Sequence, residues 1–211
     1  MRTHIGRLTV LCLALAAVPA FADYDNGPIS GTTGAWAINF GYIVSDTFVA
    51  EGSLVTGFEF GFWEDPGNHL TSVQWSVTSG ENSGTVYGSG IASGANLADK
   101  FLSNSQFGYD IDEITVSGLN VPTTPNTTYW LNLQNAMVPD GYSAYWDENS
   151  GKGCMSNGCP SSASESAVGT IPSESFTING SSGGTTPEPG SFMLLASGIL
   201  GLAGVLRRTL F

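Results

Sequence analysis

Runs with an apolar side chain at every second position recur between Trp36 and Ile178, and that period fixes which faces the chain can bury. Phe58, Phe60 and Phe62 alternate with Gly57, Glu59 and Gly61. Val73, Trp75 and Val77 alternate with Gln74, Ser76 and Thr78, and Tyr129, Leu131 and Leu133 with Trp130, Asn132 and Gln134. Ile114 and Val116, Trp36, Ile38 and Phe40, and Phe176 and Ile178 repeat the scheme. Successive side chains of a strand point to opposite faces, so each run reads as a half-buried strand. Turn-forming clusters separate the runs: Asp65-Pro66-Gly67-Asn68, Ser79-Gly80-Glu81-Asn82-Ser83-Gly84, Ser117-Gly118 and residues 122–126. Only residues 97–102 could make a helical turn or two. No fixed repeat length is present, which excludes a solenoid. Strands with one apolar face need a second sheet to cover it. The expected fold is therefore all-β, a two-sheet antiparallel β-sandwich of jelly-roll-like type over residues 23–180, with a closed barrel as the alternative. Phe58, Phe60, Val73, Trp75, Val77, Ile114, Val116, Leu131 and Leu133 are the expected core.

Charge narrows the function. The 211 residues carry 6 Lys+Arg against 18 Asp+Glu, a formal charge of −12, while 41% are hydrophobic and 11% charged. That much apolar surface excludes a charge-rich disordered chain. An acidic chain cannot release counterions from phosphates, which excludes nucleic acid as a partner. All the acidic residues but Glu188 lie within 23–186, where Lys100 and Lys152 are the only Lys or Arg. Such a surface repels acidic polymers unless divalent cations bridge the two.

The two ends read as addresses. Arg2 and Arg7, the uncharged run 8–18 and Ala20-Phe21-Ala22 have the order of a signal peptide over residues 1–22. Signal peptidase would cut after Ala22 to leave Asp23 first, and Cys12 would leave with the discarded segment. At the other end, residues 181–186 form a Ser/Gly/Thr linker. Pro187-Glu188-Pro189 follows, then the uncharged run 192–206, then Arg207-Arg208. A helix over that run would be about 22 Å long at 1.5 Å per residue. That is short for a hydrocarbon core of about 30 Å, so the span is drawn out to about residues 191–206 with snorkelling arginines. The arginines would hold the terminus on the cytoplasmic side. Gly198, Gly201 and Gly204 line one flank of such a transmembrane helix and would let another helix approach closely.

The tripeptide, the apolar stretch and the arginine pair, in that order, resemble the PEP-CTERM sorting signal of Gram-negative bacteria. The resemblance covers residues 187–211 alone. It implies recognition by an exosortase, a membrane-embedded cysteine transpeptidase. Cleavage would fall near Pro187, Glu188 and Pro189, with Arg207 and Arg208 as the stop. It further implies an inner-membrane-tethered intermediate, a final place at the cell surface or in the extracellular matrix, and an association with exopolysaccharide and biofilm.

Export also bears on the cysteines. Cys154 and Cys159 lie in Gly153-Cys154-Met155-Ser156-Asn157-Gly158-Cys159-Pro160, which can turn tightly, and in an oxidising compartment they read as a disulfide. A metal site there would lack two of its four ligands. For catalysis the signals are thin. A Ser-His-Asp or Cys-His site would have to use His69, in a turn, so no catalytic residue is assigned. Glu59, with Glu64 and Asp65 nearby, could line a glycosidase face, but solvation of a strand face is the expected role. Asp110, Asp112 and Glu113 form one acidic knot and Asp147-Glu148-Asn149 another. Oxygen ligands in loops suit a structural Ca²⁺, although neither stretch has the spacing of a twelve-residue calcium loop. No other cofactor is implied. Trp63, Trp130, Tyr142, Tyr145 and Trp146 fall on polar sides of strands or in loops, and Tyr142, Tyr145 and Trp146 are the best candidates to stack on sugar rings. The resulting expectation is an exported, non-catalytic surface or matrix protein. A carbohydrate-binding module is the alternative and a glycoside hydrolase the third reading.

Overall fold

The alternating runs lie on strands for most of their length, and the residues described by the computed structural model, 23–149 and 162–181, hold thirteen strands. In chain order they are β1 (Asp23–Asp25), β2 (Ala35–Ala37), β3 (Ile43–Val49), β4 (Leu54–Glu64), β5 (Ser72–Gly80), β6 (Ser83–Ser93) and β7 (Leu97–Asn104). There follow β8 (Asp110–Pro122), β9 (Thr128–Met137), β10 (Tyr145–Asp147), β11 (Ala163–Glu165), β12 (Gly169–Ile171) and β13 (Phe176–Ser181). Ala20, Ala22, Cys154, Cys159, Pro187, Glu188, Pro189, Arg207 and Arg208 lie outside the described residues. Among the described residues no helix is long and apolar enough to cross a membrane.

The strands form two antiparallel sheets rather than one closed barrel. One follows the order β12-β11-β3-β9-β5-β6. The other is built around β4, which pairs with β8 along one edge and with β13 and then β10 along the other. β1 flanks β13, β2 flanks β10, and β7 flanks β8. The turns between strands are those that glycine, proline and asparagine dictate. In Asp65-Pro66-Gly67-Asn68, Gly67 takes φ +81° and the Asn68 amide closes on the Asp65 carbonyl at 3.1 Å. Proline followed by a left-handed residue is the type II arrangement.

Inner faces meet in one core. All nine expected core residues are at most 7% exposed. Phe58 sets its ring edge-on to Trp75 of the opposite sheet, with centroids 6.3 Å apart. Phe60 stands edge-on to Phe62 at 6.1 Å and to Trp146 at 6.0 Å. Gly61, between them, has no room for a Cβ, because the Ser175 hydroxyl and Asp147 press against its outer side.

Four expectations need correcting. Residues 97–102 extend as β7 because β8 supplies a ladder for them (Leu97 opposite Val116, Asp99 opposite Ile114), and the only helical turn there is the 3-10 turn Gly94–Asn96. Ser117-Gly118 is not a turn but a bulge inside β8, with Gly118 at φ +75°. Phe40 leaves its row after β2, taking φ +54° and standing 67% exposed. Trp146 is buried to 0% exposure, its Nε1 donating to the Ser175 carbonyl at 2.9 Å, so it has no ring face to offer a sugar.

Removing a large side chain from a packed core costs its transfer free energy plus the cavity left behind. Phe60→Ala should therefore lower unfolding stability by about 3–5 kcal/mol. Phe40→Ala should stay within about 0.5 kcal/mol of the parent. Urea denaturation of both variants checks the pair, and equal losses would contradict the assignment of the core.

Candidate functional site

The row of side chains that builds the core ends in acid. Along β4 the inward residues run Phe58, Phe60, Phe62, Glu64, and in register on β8 they run Val116, Ile114, Asp112, Asp110. β7 adds Leu97 opposite Val116 and Asp99 opposite Ile114. Residues directly opposed in an antiparallel pair point to the same face, so the apolar pattern itself carries these carboxylates inward. Glu64 and Asp112 are 0% and 4% exposed, and Asp99 reaches the surface. One oxygen of each of Glu64, Asp99 and Asp112 lies within 4.8 Å of the other two.

The loop between β4 and β5 closes over this cluster. The Leu70 amide donates to Asp99 Oδ2 at 2.8 Å. Asp110 is drawn aside, accepting from the Gly67 amide at 2.8 Å and from the Asn104 side-chain amide. No N–H or hydroxyl reaches either oxygen of Glu64 or Oδ1 of Asp112. Burial, then a proton shared with Asp112 and the charges of Asp99 and Asp112, push Glu64 up to about 9. Asp99 rises to about 6, chiefly through burial. The described residues contain no cation that could offset the cluster except exposed His69 in the same loop. Lys100, their only Lys or Arg, points to the outer face and pairs with Glu113 at 3.0 Å.

Two of the carboxylate groupings expected from the sequence do not converge. Asp112 and Glu113 part because neighbours in a strand face opposite ways, Asp112 inward and Glu113 outward to Lys100, while Asp110, of the same parity as Asp112, is drawn to the Gly67 turn. Glu59 and Glu64 are an odd number of residues apart, so they too take opposite faces of β4. Glu59 instead lies with Glu113 and Asp25 on a shallow outer cleft of about 360 Å³.

A second acidic centre sits where β10 meets β13. Asp147 is fully buried and accepts from the Ser30 amide (2.8 Å), the Gly31 amide (3.1 Å), Trp63 Nε1 (2.6 Å) and the Ser175 hydroxyl (3.0 Å). Burial raises its pKa against the pull of those donors. Asp46, also fully buried, accepts from the Glu174 amide at 2.8 Å and Asn26 Nδ2 at 3.1 Å. Glu148 accepts from Trp36 Nε1 at 2.7 Å. Glu174, fully buried, has no hydrogen-bond partner on either oxygen, and burial with the charges of Asp46, Glu148 and Asp147 raises it well above the usual carboxylate range. The knot Asp147-Glu148-Asn149 expected to offer calcium ligands is instead spent on partners within the protein, and Asp46 and Glu174 join it from distant parts of the chain. The only signal was their acidity, since β10 is too short to show a period.

Of the aromatic candidates, Tyr142 is 62% exposed while Trp63 is 4% exposed. Tyr145 is half-buried, edge-on to Tyr109 with centroids 5.6 Å apart. Exposed Phe107, unremarked in the sequence, stacks on Trp63 with centroids 5.8 Å apart.

Comparison with known proteins places a sorting signal beyond this body: residues 185–208 match the family described as the PEP-CTERM protein-sorting motif. No curated protein matches the chain. The motif implies export, a membrane-anchored intermediate, delivery to the surface and an exosortase as processing partner.

Glu174 makes folding depend on pH. Its folded pKa is raised, so the native state keeps a proton that the unfolded chain gives up. Its contribution is fully present below the ordinary glutamate range and is lost as pH rises. Glu174→Gln keeps the shape without the titration. Between about pH 5 and about pH 8 the variant should lose less stability than the parent. Urea melts at both pH values decide it; equal losses would mean that Glu174 ionises freely.

Proposed function

We propose that this is an exported, non-catalytic protein of the Gram-negative cell surface or extracellular matrix, associated with exopolysaccharide and biofilm. The observation that carries the reading is the sorting motif at residues 185–208, which follows a folded body with an acidic surface. Residues 1–22 act as a signal peptide removed by signal peptidase. Residues 191–206 hold the intermediate in the inner membrane as a helix, and Arg207 and Arg208 stop it there. Cys154 and Cys159 close a disulfide once the chain is outside. The body is jelly-roll-like, and repeated crossing between sheets, at β3 to β4, β4 to β5, β6 to β7 and β8 to β9, supports that reading.

A second reading, carbohydrate binding, rests on one specific observation. Tyr142 and Phe107 expose large aromatic surface, and flat apolar faces of this kind suit sugar rings. A hydrolase reading lacks such support: Glu113, beside Glu59 in the outer cleft, is engaged by Lys100.

Replacing Pro187-Glu188-Pro189 by alanines should leave full-length protein in the inner-membrane fraction, read by fractionation and intact mass. A normally processed C-terminus in that variant would overturn the sorting assignment. For the second reading, Tyr142→Ala and Phe107→Ala should weaken retention on an extracellular polysaccharide column without changing the melting temperature. Unchanged retention would remove these rings from any glycan site.

A further inference from the structure

We propose that Glu64, Asp99 and Asp112 bind one calcium ion at the open end of the core, tying β4, β7 and β8 to the loop between β4 and β5. Three observations meet there. Oxygens of the three carboxylates lie within 4.8 Å of one another, close enough to share one ion. Glu64 is fully buried, faces the cluster, and no N–H or hydroxyl reaches either of its oxygens or Asp112 Oδ1. Buried polar atoms are almost always satisfied, and a cation is one of the partners that can satisfy those no N–H or hydroxyl reaches. Third, the described residues supply no adequate counter-charge, since Lys100 is held on the outer face by Glu113 and among them only exposed His69 stands nearby.

The donor set chooses the ion. All three ligands are carboxylates, which suit hard cations, and no thiolate lies among them to favour zinc. Magnesium demands near-ideal octahedral geometry and keeps several of its own waters, for which a pocket with two buried carboxylates leaves little room. Calcium accepts irregular sets of six to eight oxygens, with carboxylates binding through one or both atoms, and solvent at Asp99 can complete the shell. The Leu70 amide already fixes Asp99 Oδ2, so the ion draws on a ligand whose orientation is set. Asp112 thus keeps the role read from the sequence, while Asp110 and Glu113 give way to Glu64 and Asp99.

The test uses the protein recovered from its own cells, stripped with EGTA and titrated with CaCl₂ by equilibrium dialysis and thermal melting. Expected is one calcium per chain with an affinity of about 10⁻³ M or tighter, as in extracellular modules, and a higher melting temperature. Glu64→Gln and Asp112→Asn should weaken binding by more than the roughly 10–100-fold typical of losing an outer partner. Glu59→Gln, on the outer face, should leave it unchanged. Should the buried variants fail to fold, Asp99→Asn at the surface must still weaken binding. No saturable binding at about 2 mM calcium would overturn the proposal. So would unaltered binding in Asp99→Asn, or a preference for magnesium or zinc over calcium.

Discussion

One strand holds the described body together. β4 is bonded along both edges, to β8 on one side and to β13 and β10 on the other, and it is packed on both faces. Its inward phenylalanines form the centre of the core, while Gly61 on its outer side lets Ser175 and Asp147 close in. A strand in that position has no freedom of register. Shifting it by one residue would turn Phe58, Phe60 and Phe62 outward and bring Glu59 into the core. Everything attached to β4 inherits that fixed register, including the acids at its end.

The short strands depend on this more than on themselves. β1, β2, β10, β11 and β12 have three residues each, too few to be stable alone. The segment before β2 is fastened by buried polar groups instead. Asp147 receives two backbone amides from residues 30 and 31, an indole from β4 and a hydroxyl from Ser175, so one carboxylate joins three parts of the chain. Hydrogen bonds to a charged acceptor are individually strong, at about 1.5–3 kcal/mol, and leaving any of these donors unmade would carry its own desolvation cost.

What the sequence made legible was the long-period pattern. Phe58, Val73, Ile114 and Leu131 belong to runs long enough for alternation to separate the two faces, and all of them are buried. Local context hid the rest. Glu64 follows the Phe58-Phe60-Phe62 parity, and Asp112 that of Ile114 and Val116. A polar residue at the end of an apolar row nevertheless reads as the point where the strand emerges into water. Trp146 was misplaced because its strand is three residues long and its neighbours Asp147 and Glu148 look like a solvated turn. Their burial depends on donors far away in the chain, at Ser30, Trp36 and Trp63, which no local window contains.

The position of the last described strand has a mechanical side. β13 lies between β1 and β4, antiparallel to both, and the chain leaves it at Ser181 toward the sorting motif. Because β13 is laddered on both sides, the hydrogen bonds to β1 and those to β4 must all break before the last described strand can leave its sheet.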